Sequence, residues 1–465
     1  VSQGGDGVLF GDKHPIKNRQ TYDRYVPKYN PITVEEKQLA WEVAQGLYKQ
    51  YPEAFANAKL TPPQAIKYYL DAKFNYSPGN PFLSAYKKRK QLYDIGWDEV
   101  LIRNAIKQLK KGEYPISYYH GFLKSQVVDA QKLVEGKDPR SVVAQDLASY
   151  YIDQIIQLER NKRITWRTTG VGIGMILNQN MQTLFENLED FKVRGGFYFE
   201  ADATQYDSRL KPYAFEALAA LTYYGYETNK FDFKHKAYSV MKANYDSMQQ
   251  AYIMGITEPK WQSLTIGVDS SSTIEKLCLS FPNRFISYEQ AKTYDLTEYQ
   301  NKIILTQKHF TNKFEQTHPY FAFIHSEVPS SYNTPHIKVE NPFQCIDHIS
   351  QNLDKAYNLH FKNRGGGTGQ SATSWDNTWS FRACFIAGWI SYHRANGRNF
   401  TTEDFFKQNI LYNTGDDSLW SIKLRKEDYN FDEMVHHMQL YGITLKLIEH
   451  KDIEDLQYLG NRVYR

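Results

Sequence analysis

Three acidic residues stand where the chain pattern passes from strand to turn. Asp202 closes the run Phe197-Tyr-Phe-Glu-Ala-Asp202, while Asp416 and Asp417 follow Ile410-Leu-Tyr-Asn-Thr414 and Gly415. Short apolar runs rich in aromatic and branched residues read as buried strands. The second run, continued by Ser418 to Lys423, predicts a hairpin with two acids at its tip. If the two strands are neighbours, the carboxylates meet at one sheet edge. Clustered carboxylate oxygens suit Mg2+ or Mn2+, and two such ions about 4 Å apart stabilise both the attacking and the leaving oxygen of an in-line phosphoryl displacement. A Gly-Asp-Asp triplet arises by chance in about one chain in ten of this length, so its weight comes from the residues around it.

Asp207 follows Asp202 closely enough to lie just beyond the strand end, where it can face a nucleotide sugar instead of the metals. A site that selects a 2′-hydroxyl wants polar partners at such a point, whereas one that rejects it wants apolar bulk. Thr373 and Asn377 are spaced to share one helical face, so that Asn377 can hydrogen-bond both Asp207 and a ribose hydroxyl. Ahead of that helix, Arg364-Gly365-Gly366-Gly367-Thr368-Gly369 offers backbone amides without side chains, which suits close approach to a nucleic-acid backbone; the plainer alternative is a flexible loop. Arg160, Lys162, Arg163 and Arg167 gather around Ile164-Thr-Trp166, an alternation that predicts a strand with positive charge on one face, matched to triphosphate oxygens or else simply solvated. Lys451 is by default an exposed lysine; its chemical use would be to protonate a departing pyrophosphate.

The elements that must position these groups follow from periodicity. Thr33 and Glu36 form a capping-box pattern ahead of Leu39, Val43 and Leu47, and helical character dominates to about residue 158, with stripes at Ile102, Ala105, Ile106, Leu109 and at Val142, Leu147, Tyr151, Ile155, Leu158. Loops are expected at Ser77-Pro-Gly-Asn-Pro81 and Gly136-Lys-Asp-Pro139. After the strand at Phe197 comes a helix near Tyr213 to Tyr226; the glycine cluster opens a helix through Ile390; the hairpin is followed by a helix near Asp432 to Tyr441 and short strands at Ile443 to Leu447 and Leu456 to Val463. Strand, helix, hairpin, helix, strand is the order of a ferredoxin-like sheet, which hosts many functions and names none.

Composition bounds the rest. The chain has 465 residues, 41% hydrophobic and 23% charged, which excludes disordered and collagen-like classes and exceeds one ordinary domain. No apolar run of about 18 residues and no signal-peptide pattern occurs. Cys278, Cys345 and Cys384 lie far apart without metal-ligand spacing, so a reducing compartment fits best. With 56 basic and 52 acidic residues, net charge neither demands nor excludes a polyanionic partner. Aromatic residues make 15% of the chain, which points to aromatic cores or, more sharply, to stacking platforms for single-stranded nucleic acid.

Taken together, Asp202-Ala-Thr-Gln-Tyr-Asp207-Ser-Arg-Leu-Lys-Pro-Tyr213, Gly366-Gly-Thr-Gly-Gln-Ser-Ala-Thr373-Ser-Trp-Asp-Asn377-Thr and Asn413-Thr-Gly-Asp-Asp417-Ser-Leu resemble, in the usual order, the three palm motifs of viral RNA-dependent RNA polymerases. The potyvirus-like and astrovirus-like supergroup is nearest in flavour, with picobirnavirus and partitivirus polymerases close by. The resemblance implies an α+β right-hand fold with a ferredoxin-like palm sheet, largely helical fingers and a thumb that is short or missing. It divides the chain into an N-terminal extension and fingers (1–194), palm (195–245), fingers or insertion (246–360) and palm again (361–465). It implies that Asp202, Asp416 and Asp417 hold two Mg2+ ions, or Mn2+, and that Asp207, Thr373, Asn377, Lys162, Arg163 and Arg167 bind the nucleotide. Gly366, Thr368, Gly369 and the tripeptide Tyr458, Leu459, Gly460 would then meet template and primer, with Lys451 as general acid and Lys446 as its competitor.

The implied partners are template and nascent RNA, NTPs and other viral replication proteins, in host cytoplasm, membrane-associated complexes or virions. The alternatives are a reverse transcriptase-like enzyme, disfavoured by the polar Asp207 and Asn377, and a noncatalytic RNA-binding scaffold, disfavoured by the full set of acids. The interval between Asp207 and Gly365 is longer than the family's, which predicts an insertion that admits template or meets a partner. The end at Arg465, where the family continues into a thumb, predicts a processed or trimmed piece.

Overall fold

The computed structural model describes residues 3–4, 8–10, 29–66, 76, 88–94, 96–114, 119–123, 127–129, 141–145, 147–191, 197–204, 206–227, 233–249, 251–255, 265–267, 295–299, 302–306, 336–338, 359–362, 364–366, 373–423 and 429–462. The loops expected at 77–81 and 136–139, Cys278, Cys345, Thr368 and Gly369 lie outside these residues. So does most of the segment expected to be an insertion, 246–360.

Helix α1 (Val34–Gln50) starts at the capping box: the Glu36 N–H donates to Thr33 Oγ1 (3.1 Å) and the Thr33 N–H to the Glu36 carboxylate (2.9 Å), satisfying two donors that a helix start leaves open. Its buried stripe is Leu39, Val43 and Leu47, as the spacing predicts. Helix α2 (Trp97–Lys111) buries Leu101, Ile102, Ala105 and Leu109 and stops at Gly112, whose φ of 76° is left-handed.

The region to residue 158 is less helical than periodicity suggests. Strands β1 (Tyr119–Leu123) and β2 (Ser141–Ala144) interrupt it, and Val142 belongs to β2, not to the stripe of helix α3 (Leu147–Arg163). They pair with each other, and β1 also pairs in parallel with the distant β4 (Ala251–Gly255), which in turn pairs with β5 (Leu359–Lys362). Long-range ladders of this kind leave no local period to read.

The expected strand through the basic residues 160–167 is also corrected. Helix α3 runs through Arg163, and after the cap residue Thr165 a single turn, α4 (Trp166–Thr169), ends at Gly170. The three-residue-plus-one rhythm of Ile152, Ile155, Ile156 on one buried side outweighs the charge alternation. Arg160 is consequently buried at 1% exposure, its guanidinium 3.7 Å from the centre of the Trp375 ring and hydrogen-bonded to Thr222 (3.0 Å). It is not part of a charged outer face.

Beyond helix α5 (Leu177–Phe191), strand β3 (Phe197–Ala203) leads through the turn α6 (Tyr206–Arg209) to α7 (Pro212–Gly225) and α8 (Phe233–Gln249). Helix α9 (Thr373–Ala395) and the short α10 (Thr402–Gln408) precede the hairpin of β6 (Asn409–Thr414) and β7 (Asp417–Ile422); then come α11 (Phe431–Leu440), β8 (Leu445–His450), β9 (Gln457–Tyr458) and β10 (Asn461–Arg462). The sheet runs β6-β7-β3-β8 with every pair antiparallel, so the two strands that carry acids are adjacent. Strand β8 starts later than expected and extends to His450, and the expected final strand is a two-plus-two residue hairpin turning at Leu459 and Gly460, both at positive φ.

Helix α9 is buried nearly all round. Gly388 lets α11 approach so closely that a Cβ there would sit 2.6 Å from Met438 Cα. Much of the aromatic content resides in this core, with Trp379, Trp389 and Trp420 fully buried and Phe55 packed 4.7 Å from Trp379 between ring centres. The same helix carries one buried cation, Arg382, at 0% exposure. Its Nε donates to Asn413 Oδ1 (3.1 Å), Nη1 to Tyr51 OH (3.2 Å) and the Thr169 carbonyl, and Nη2 to the carbonyls of Gly170 (3.1 Å) and Leu411 (2.8 Å). One side chain thus joins α9, strand β6, the turn after α4 and the end of α1. Arg382→Met would leave several buried acceptors without donors, each costing roughly 1–3 kcal/mol. We expect a loss of at least ~3 kcal/mol in urea unfolding; a variant within ~1 kcal/mol of the parent would show that the clamp is dispensable.

Candidate active site

The acids meet because the sheet register puts them together. Ser418 pairs with Ala201, and one step further along the same antiparallel ladder Asp417 stands beside Asp202. Asp416 lies in the two-residue turn between Thr414 and Asp417, a turn entered through Gly415 at φ 62°, where any side chain would be strained. Asp202 is exposed, while Asp416 and Asp417 are half-buried. Burial, together with the charges of Asp207, Asp202 and Asp417, pushes the Asp416 carboxyl up to about 6. Asp417 is raised too, chiefly by burial and also by Asp202 and Glu200, against the bond it accepts from the Leu459 N–H (2.8 Å). Asp202, Asp207 and Asp417 therefore all act on Asp416.

Asp207 sits in the turn α6 and accepts a hydrogen bond from the Asn377 amide (2.9 Å), the bond that the sequence allows Asn377 to make. Tyr206 next to it ties down the same helix turn, donating to the Asn377 carbonyl (2.9 Å) and meeting Ser380 Oγ (2.6 Å). Two glycine amides complete the arrangement: Gly366 donates to the Asp207 carbonyl (2.8 Å) and Gly365 to that of Leu210 (3.2 Å). Thr373 begins α9, one turn before Asn377.

One residue after Asn377, Thr378 locks the same helix to the acid hairpin. Its Oγ1 accepts from the Gly415 N–H (2.8 Å), and its carbonyl accepts from the Asn413 amide (2.8 Å). On the opposite side of the hairpin, Thr414 meets Tyr458 OH (2.7 Å), and Glu200 accepts the Gln457 N–H (2.6 Å), so Tyr458, Leu459 and Gly460 lie directly against the acids. Gly172 belongs to this contact as well: a Cβ there would overlap Thr414 Oγ1 and come 2.6 Å from Tyr458 OH.

The basic residues are distributed differently from the expectation of one charged face. Lys162 pairs with Glu159 (3.0 Å), Arg163 donates to the Ala56 carbonyl (2.6 Å), and Arg167 is exposed beside the Trp166 ring. Just beyond this segment, Gly172 donates to the carbonyl of Asn413 near the end of β6, three residues before Asp416 (3.1 Å). Lys451 is exposed just past β8, whereas Lys446 stands directly opposite Asp202 on the neighbouring strand.

Sequence reasoning missed Arg382, Thr378 and Lys362. Arg382 did leave a signal: between Asp376 and Arg394 it is the one acidic or basic residue in a run of aromatic, aliphatic and small residues, and a charge inside such a helix must be paired. Lys362, buried at 1% exposure, left none.

Among the described residues, no three His, Cys, Asp or Glu side chains are disposed to hold a metal ion by themselves. That is compatible with Mg2+, which keeps several waters and is commonly held by one or two carboxylates together with substrate phosphates. The mutual repulsion of Asp202, Asp207, Asp416 and Asp417 is what a bound cation would relieve. Among the described residues, no helix is long and apolar enough to cross a membrane.

No family model matches the sequence. The chain is similar to the ORFB polyprotein of Cryphonectria hypovirus 1, with 35% identity to strain Euro7 over 494 aligned positions and 34% to strain EP713 over 490. Each match covers 99% of this chain and only 15% of the polyprotein. Along almost its whole length, then, this chain is similar to one segment of a viral polyprotein.

Proposed function

We propose that the chain is an RNA-directed RNA polymerase with an α+β right-hand fold, its four-stranded sheet serving as the palm. What supports this is one arrangement: Asp202, Asp416 and Asp417, brought from distant parts of the chain to the same sheet end, with the hydrogen-bonded Asp207 and Asn377 beside them. The likeness to a viral polyprotein segment is consistent with a role in copying viral RNA.

In this proposal Asp202, Asp416 and Asp417 hold two Mg2+ ions, or Mn2+, which when bound neutralise charge on the oxygens exchanged during nucleotidyl transfer. Asp207 orients Asn377 by taking one of its amide hydrogens, and the Asn377 carbonyl oxygen can then accept from a 2′-hydroxyl. Thr373, on the same helical face, flanks the sugar. Arg167, with its exposed guanidinium, approaches the triphosphate, joined by Lys162 and Arg163 if they exchange their contacts with Glu159 and the Ala56 carbonyl for the nucleotide. Lys451 or Lys446 delivers a proton to the departing pyrophosphate. Tyr458, Leu459 and Gly460 support the growing 3′ end, and Gly366, with Thr368 and Gly369, meets template. The partners are template and nascent RNA, NTPs and other viral replication proteins, in host cytoplasm, membrane-associated complexes or virions.

A primed homopolymer extended in Mg2+ tests the proposal. Asp416→Ala should abolish nucleotide incorporation while leaving RNA binding within about twofold of the parent; retained synthesis would remove the central assignment. Asn377→Ala should lower the preference for NTP over dNTP by about tenfold or more, since a site built to hydrogen-bond a hydroxyl discriminates strongly against its absence. An unchanged ratio would detach Asn377 from sugar reading, and a preference for dNTP in the parent chain would favour reverse transcription.

A further inference from the structure

The least expected side chain near the site is a lysine. Lys362 ends strand β5 at 1% exposure, a position where an aliphatic residue would ordinarily lie. Its ammonium donates to the carbonyl of Met248 near the end of α8 (2.6 Å) and to that of Gly365 (2.7 Å). Burial lowers it to about 7, and the charge of Asp207 opposes that shift. Desolvating an ammonium is costly, and helix packing alone gives no reason to accept that cost here.

The hydrogen bonds around it supply one. Gly365, whose carbonyl Lys362 holds, donates its own N–H to the Leu210 carbonyl, and the adjacent Gly366 donates to the carbonyl of Asp207. Asp207 in turn holds the Asn377 amide. Gly366 also lies against this turn at ordinary contact distance, a Cβ there falling 3.4 Å from Leu210 Cδ1 and 3.9 Å from Asn377 Oδ1. A continuous path therefore runs from the Lys362 ammonium through the glycine loop to the two side chains assigned to the sugar.

We propose that Lys362 is a positioning residue for sugar recognition, fixing the glycine loop and the Asp207 turn so that Asn377 meets a ribose hydroxyl. This rests on the polymerase reading above. The buried ammonium holds the loop through the carbonyls of Met248 and Gly365. Discrimination by hydrogen bonds depends on such placement, because an acceptor displaced by a fraction of an ångström no longer distinguishes a hydroxyl from a hydrogen.

The test compares kcat/KM for an NTP and its matching dNTP on a primed homopolymer template with Mg2+, using the parent, K362M, N377A and the double variant. K362M should lower the NTP-to-dNTP ratio by about tenfold or more, and in the N377A background the same change should alter the ratio by less than about twofold, since both act through one pair. A purely structural lysine would slow both nucleotides alike and leave the ratio unchanged, which would overturn the proposal while sparing the polymerase reading. Additive losses in the double variant would overturn the route through Asn377. If K362M does not fold, K362Q keeps a donor for the Gly365 carbonyl without the charge, and its ratio should also fall; an unchanged ratio in K362Q would overturn the proposal. A parent chain that incorporates neither nucleotide defeats the polymerase reading itself, and Lys362's assignment with it.

Discussion

A single buried guanidinium holds the site's parts in register. Arg382 has no carboxylate among its partners; its donors are met by three main-chain carbonyls, one amide oxygen and one phenol. Neutral acceptors suit this place because an acid beside β6 would add to the repulsion at the hairpin tip. Arginine is required by geometry, since its planar fork presents five donors in fixed directions, whereas a lysine ammonium offers three. The clamp sets β6 against α9 and the turn at Thr169 and Gly170, and so fixes how the acid hairpin sits relative to the helix that carries Asn377.

The acid cluster itself is an unfavourable arrangement in isolation. Asp416 and Asp417 are pushed toward the protonated form by burial and by neighbouring acids, Asp202 acting on both. The groups that hold them are neutral dipoles: the Leu459 N–H on Asp417, Thr378 on the Gly415 N–H, and the Asn377 amide on Asp207. Neutral donors orient carboxylates without discharging them, which leaves their negative charge available to a cation. The surrounding core offsets this local cost through tightly packed aromatic and aliphatic side chains on α9, α7 and the sheet. Sites of this kind trade stability for function.

Much of this was legible beforehand where the cause is local. The capping box at Thr33 and Glu36, the stripe Leu39-Val43-Leu47 and the hairpin around Gly415 each follow from spacing within a few residues, whereas the bond between Asp207 and Asn377, 170 positions apart, could be named as an option but was made by the tertiary fold. The basic run at 160–167 was misread because charge alternation competed with an apolar period on the other side of the same helix, and burial prevailed: Arg160 lies under Trp375 instead of facing solvent. The strands at 119–123 and 141–144 pair with each other, but the sheet they belong to is completed by 251–255, which pairs with 119–123, and by 359–362 beyond it, both distant in the chain and so without a local signal.

The sequence by itself determined the chemical inventory and the local geometry: which acids exist, that two stand at the tip of one hairpin, and that Thr373 and Asn377 lie one turn apart on one helix. Tertiary structure alone decided that the Asp202 and Asp417 strands are neighbours, that Gly172 and Tyr458 press on the hairpin from outside, and that Arg382 and Lys362 are buried donors. The division has a physical origin. Propensity, capping and turn chemistry act over a few bonds and are written in adjacent residues, whereas a buried cation is acceptable only when carbonyls from several separate segments converge on it, and no single segment records that convergence.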